Sequence, residues 1–137
     1  MDPTKCLARL EEHQATILSI MQCGERLLTS PERDAPGLAR TRWELARALI
    51  AYQGFKHREI FDPMAATGCP RRAPAARRLK ADCVALGDWF RAYLAKWSAV
   101  SVLDRWADYQ PAAMQLISRI RDHLARERRD AAALLKD

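Results

Sequence analysis

The sequence predicts an all-α fold, an up-down-up-down four-helix bundle. Three observations predict it. Apolar residues recur at spacings of three and four over four long segments, as one face of an α-helix requires. Breaks rich in proline and glycine separate those segments. The composition, with five Gly, three Phe and three Tyr against abundant Ala, Leu, Arg and Glu, favours helices over strands. At 137 residues the chain reads as a single domain, residues 1–137, long enough to bury most of its surface.

The first helix is expected from about Pro3 to Leu28, since proline suits a first helical turn. Its stripe is Cys6, Leu10, His13, Ile17, Ile20, Gly24 and Leu27. The composition of Thr29 to Gly37 reads as a loop. A second helix follows from about Leu38 to Phe61 and is expected to stop before Pro63. It offers two adjacent rows: Ala46, Leu49, Ile50, Gln53, His57, Ile60 and Met64, or Leu45, Ala48, Tyr52 and Phe55. Periodicity alone leaves open which one faces inward.

Thr67 to Pro74 breaks the chain again. The third helix, from about Ala75 to Ser98, carries Leu79, Cys83, Leu86, Phe90, Leu94 and Trp97 on one side. Ser101 to Gln110 reads equally as a short helix or an apolar connection. Pro111 is expected to open the last helix, which runs to about Leu135 with Ala113, Leu116, Ile120, His123, Glu127 and Leu134 along its stripe.

Several function classes fall away on composition. No segment has the roughly 18 apolar residues of a membrane span, and the first residues lack the charged-then-apolar pattern of a signal peptide, so a cytoplasmic protein without membrane association is expected. Cys6, Cys23, Cys69 and Cys83 show no C-x-x-C spacing, and in a reducing compartment they are expected as free thiols. The net charge of +6 raises the question of nucleic acid. The basic residues are spread, however, and no aromatic residues interleave with them, so a nucleic-acid partner rests on charge alone. Arg119 to Arg129 alternates basic and acidic groups, as a solvated helix face does. No Ser/His/Asp arrangement or glycine-rich phosphate loop is present, so no catalytic residue is assigned.

The histidines carry the functional expectation. The chain has three, His13, His57 and His123, each on a stripe of a different helix. His123 and Glu127 stand one turn apart and point the same way. Gln53 and His57 have the same spacing in the second helix. Helix bundles build interior metal sites from such groups. The plainer alternative is a set of core histidines satisfied by hydrogen bonds.

On Leu10-Glu-Glu-His13-Gln-Ala-Thr-Ile-Leu18, His57-Arg-Glu-Ile-Phe-Asp-Pro63 and Leu116-Ile-Ser-Arg-Ile-Arg-Asp-His123-Leu-Ala-Arg-Glu127, the chain resembles the hemerythrin-like (HHE cation-binding) family over essentially its whole length. In that family histidines and bridging carboxylates hold an oxo-bridged iron pair. The resemblance implies His13 as first-helix ligand and His123 with Glu127 as the last pair. The second pair becomes Gln53 and His57, and the third-helix histidine falls at Cys83. The set so implied is His13, His57, His123 and Glu127 with Cys83 as a fifth member. It suits iron, as one or two ions, or zinc. The expected function is then a metal-binding protein with an altered site, whose ligand is a metal ion and a small diatomic molecule, in oxygen, nitric-oxide or metal sensing or stress response. The alternative is a metal-free bundle of the same type acting as a regulatory or protein-interaction module.

Overall fold

The computed structural model describes residues 2–136. It is all-helical, with four long helices and no strand among the described residues. They are α1 (Pro3–Thr29), α2 (Ala35–Lys56), α4 (Arg72–Ser98) and α5 (Trp106–Leu135). Between α2 and α4 lie a π-helical turn (His57–Phe61) and the short α3 (Asp62–Ala66). No helix is long and apolar enough to cross a membrane.

The helix ends follow local chemistry. Asp2 caps α1 by accepting the Thr4 N–H at 2.9 Å, with Pro3 in the first turn. Asp34 caps α2 in the same way, accepting the Gly37 N–H at 2.9 Å. That helix therefore begins at Ala35, inside the segment expected to be a loop, because Asp-Ala-Pro-Gly supplies both a cap and a first-turn proline. A side chain at residue 37 would collide with the Asp34 carboxylate, so the cap needs glycine there.

Two prolines act differently from expectation. Pro63 does not end the second helix. The chain widens into a π turn, in which the Asp62 N–H reaches back to the His57 carbonyl, and continues as α3 with Pro63 in its first turn. The wider turn accommodates a residue that has no N–H and whose ring crowds the preceding carbonyls. Pro111 lies inside α5 rather than at its start. The helix begins earlier, at Trp106, where Tyr109 is 2 % exposed and packs edge-on against Trp97 at 5.1 Å. Burial of that aromatic pair, worth roughly 1.5–3 kcal/mol per large side chain, outweighs the one backbone bond the proline forgoes.

α1 packs against α2 and α5, and α4 packs against α2, α3 and α5. Gly24 lets α1 approach its neighbours, with Thr41 and Ile117 about 3.5 and 3.9 Å from where a Cβ would sit. The buried row of α1 is Cys6, Leu10, Gln14, Ile17, Met21, Gly24 and Leu28, so Gln14 points inward where His13 was expected. In α2 the inner row holds Leu45, Leu49, Tyr52, Phe55 and Lys56, while Ile50 is 69 % exposed. α4 presents the expected side, with Tyr93 inward in place of Leu94. The charged alternation of α5 faces solvent, where Arg121 and Arg128 pair with Glu25 and Glu11 of α1. Arg71 and Arg72 donate to the Lys136 carbonyl, tying the start of α4 to the end of α5.

Candidate functional site

A buried polar cluster lies where α1, α2, α4 and α5 meet, and its centre is Lys56. The side chain is 1 % exposed, and its Nζ donates to both Glu127 carboxylate oxygens at 2.8 Å and to Cys83 Sγ at 3.2 Å. The ammonium also lies 4.0 Å from the centre of the Tyr52 ring, a cation–π contact. Tyr52 precedes Lys56 by one turn of α2, so both side chains project from the same face. The Tyr52 hydroxyl donates to Glu127 Oε1 at 2.6 Å and accepts from Gln14 Nε2 at 2.8 Å. Gln14 also donates to the Leu124 carbonyl at 2.9 Å, joining α1 to α5.

α5 contributes Glu127 and, one turn earlier, His123. The two are close as the spacing required, with His123 Nε2 3.3 Å from Glu127 Oε2. The contact is off the line of a hydrogen bond, and this buried nitrogen has no hydrogen-bond partner. α4 contributes Cys83, whose carbonyl accepts from Gln53 Nε2 at 3.0 Å. That bond depends on Gly87. A Cβ there would lie 2.6 Å from Gln53 Nε2, so glycine gives the amide its path across to α4.

The electrostatics follow from burial and these partners. Burial alone would raise the Glu127 carboxyl, but the neighbouring His123 and the Lys56 ammonium outweigh it and hold the group down to about 2. The Tyr52 phenol is pushed up by burial and by the Glu127 charge. Burial also raises the Cys83 thiol, against the opposing pull of Lys56. The cluster thus holds a carboxylate and an ammonium as a satisfied buried pair.

The structure brings together three of the five residues expected to form a metal site: Cys83, His123 and Glu127. His13 is half-buried at the edge of the core, its ring stacked on Phe55 at 5.1 Å and near Tyr52 at 5.7 Å. His57 opens the π turn with its ring 5.7 Å from Phe61, and its Nε2 is buried without a hydrogen-bond partner. Burial lowers the pKa of both, helped by Arg9 for His13 and by Lys56 for His57. Among the described residues no group of three or more His, Cys, Asp or Glu side chains is disposed to hold a metal ion. The donors that do converge are already engaged by Lys56, so the arrangement does not fit a metal as it stands.

Lys56 is the residue that sequence reasoning missed. Its place one turn after Tyr52 was visible in the sequence, but the carboxylate that holds it comes from the last helix, where the sequence reading paired Glu127 with His123.

Two clefts flank the cluster. Between α2 and α4 lies a largely apolar cavity of about 70 Å³, with Ile50 and Phe90 in its walls and Lys56 and Cys83 at its floor. Between α4 and α5 lies a more polar one of about 220 Å³ that reaches Glu127. Leu86 and His123 line both. No protein-family model, curated protein or solved structure matches the chain.

Proposed function

We propose that this protein is a hemerythrin-type, up-down-up-down helical bundle that works without a metal, as a regulatory or interaction module. The antiparallel arrangement is supported by paired contacts: Gln14 meets Tyr52 while Gly24 lies beside Thr41, and Trp97 meets Tyr109 while Trp89 lies under Arg119. The observation that carries the metal-free reading is the Lys56 ammonium. It stands among Glu127, Cys83 and His123, the groups that the family resemblance assigns as ligands, and occupies the carboxylate and the sulfur itself. A fixed positive charge there supplies what a cation would supply electrostatically and competes with any metal for the same donors. Trp43 and Ile50, 48 % and 69 % exposed and seven residues apart on α2, favour the interaction reading, because they offer apolar contact area to a partner.

Metal uptake tests the proposal. Purified protein incubated anaerobically with Fe(II), Zn(II) or Mn(II) and then desalted is expected to retain no stoichiometric metal. Retention of one or two ions per chain, lost on Glu127→Ala, would overturn it in favour of an altered metal centre.

A further inference from the structure

We infer that a cavity beside Arg42 binds a small monocarboxylate with a short aliphatic tail. The first observation is a buried charge without a counter-ion. Arg42 is 9 % exposed, and among the described residues no carboxylate pairs with it. Its Nη1 donates to the Tyr109 hydroxyl at 3.1 Å. The guanidinium lies 5.8 Å from the centre of that ring, near the outer limit of a cation–π contact. Nε is buried and has no hydrogen-bond partner. Nη2 has none either, and it is not closed off from solvent. Nε and Nη2 form one edge of the guanidinium fork, the edge that takes a carboxylate through two parallel hydrogen bonds. Buried charges are ordinarily paired, and α2 itself supplies the comparison. Lys56 has both oxygens of Glu127, whereas Arg42 has a phenol.

The second observation is the cavity. It lies among α1, α2, α4 and α5, and of the described residues that line it Arg42 alone carries a charge. Its volume is about 40 Å³, and a water-sized group needs roughly 10–15 Å³, so about three or four such groups fit. A carboxylate with one or two carbons behind it is of that size. Ile20, Leu45, Leu116 and Ile117 offer apolar surface to the tail. Tyr109 also lines the cavity, and the Tyr93 hydroxyl lies beside its own. The two hydroxyls hold two protons and need one for their contact with each other. Since Arg42 donates to the Tyr109 oxygen, the remaining proton is left to donate to a ligand oxygen. No aspartate or glutamate lines the cavity to repel an anion. One guanidinium balances a monoanion, whereas a dianion would bring a second, unanswered charge among apolar walls.

The site stands apart from the Lys56 cluster. Arg42 precedes Lys56 by fourteen residues of one helix, about 21 Å along its axis, so this inference and the metal-free reading can each fail alone. The test is calorimetric titration of the full chain with sodium propionate in a buffer free of other carboxylates, with the arginine Nε–H signals followed by NMR. Saturable binding with Kd of about 0.1–1 mM is expected. The Arg42 Nε–H signal, assigned by its loss in Arg42→Lys, is expected to move. Propanol and propylamine, which lack the carboxylate, are expected to show no saturable binding. Arg42→Lys keeps the charge but loses the fork, and is expected to bind propionate at least ten-fold more weakly. Arg42→Met removes an unpaired buried charge. It is expected to fold at least as stably as the unligated natural chain and to lose the rise in Tm that propionate gives that chain. If the methionine variant does not fold, the Nε–H signal and the lysine variant decide. Absence of saturable binding, or binding that leaves the Arg42 signal still, would overturn the inference. Equal binding by Arg42→Lys would overturn the role of the fork, and tighter binding of inorganic phosphate than of propionate would overturn the monocarboxylate assignment.

Discussion

Lys56 Nζ sits 2.8 Å from each carboxylate oxygen of Glu127, between residues 71 positions apart in the chain and both almost wholly buried. Taking two charges out of water is costly, and only close pairing with further hydrogen bonds offsets it. Here Tyr52 supplies the further bond to Glu127, and Cys83 accepts from the lysine. The pair is best understood as a device that locks α2, α4 and α5 in one register. Its net contribution to stability is smaller than the cost of breaking it.

That asymmetry predicts the mutant series. Lys56→Met or Glu127→Leu alone leaves an uncompensated buried charge and is expected to lower unfolding stability by about 3–5 kcal/mol. The double variant restores a neutral core and is expected to recover most of that loss. Urea unfolding of the four proteins measures the coupling directly, and additive losses in the double variant would contradict the pairing.

Acid dependence follows from the same carboxylate. The Glu127 carboxyl is held down to about 2 in the folded chain, below its ordinary 4.5. A lowered folded value means that the unfolded chain binds more protons in this range. The stabilisation is thus fully present above about pH 4.5 and is lost as pH falls toward 2. The stability–pH slope between those values is expected to flatten in Glu127→Gln, measured by urea unfolding at a series of pH values.

His13 and His57 predict a second, higher window. Both have folded pKa values below the ordinary 6.5, so folding disfavours their protonation. Their effect is absent well above pH 6.5 and becomes destabilising as pH falls below it. His57→Gln is expected to lessen the loss of stability between about pH 7 and 5, because a neutral amide has nothing to titrate. NMR titration of the two imidazoles checks the direction independently.

Two glycines predict opposite balances. Gly54 is exposed on α2 with nothing within 4 Å of a Cβ, so Gly54→Ala is expected to stabilise by roughly 0.5–1 kcal/mol through helix propensity. Gly87→Ala carries the same propensity gain but displaces Gln53 from the Cys83 carbonyl, a loss of about 1 kcal/mol. Its net effect is expected near zero or unfavourable. Thermal unfolding of both variants side by side makes the comparison.

Much of the fold was legible because apolar spacing is a local property. The side that α4 buries was readable nearly residue by residue, and so was the closeness of His123 and Glu127 one turn apart. α1 was read one position off. Rows through His13 and Gln14 share Cys6, Leu10, Ile17 and Gly24, and the choice is made by Gln14 finding Tyr52 and Leu124 on other helices. In α2 hydrophobicity could not choose between the two rows: the one through Leu45, Tyr52 and Phe55 faces inward, while Ile50 of the other faces solvent and a lysine is buried six residues on. Burial of Lys56 is decided by a carboxylate that only the folded chain brings near, and no local pattern records it. The prolines show the same limit. One side chain type opens α2, sits within α5 and follows a π turn, according to what its neighbours can pack against.

The π turn at His57–Phe61 amounts to one extra residue spliced into a continuous helix. It lets two stretches of one rod obey different phases. Before it, Tyr52 and Lys56 keep their aim on Glu127; at its end and beyond it, Ile60, Phe61 and Met64 are all buried. Deleting a single residue here would turn everything downstream by about 100° and bring Asp62 toward the interior. The segment is therefore a mechanical joint, the place where the alignment of the ion pair is made independent of the alignment of the core beneath it.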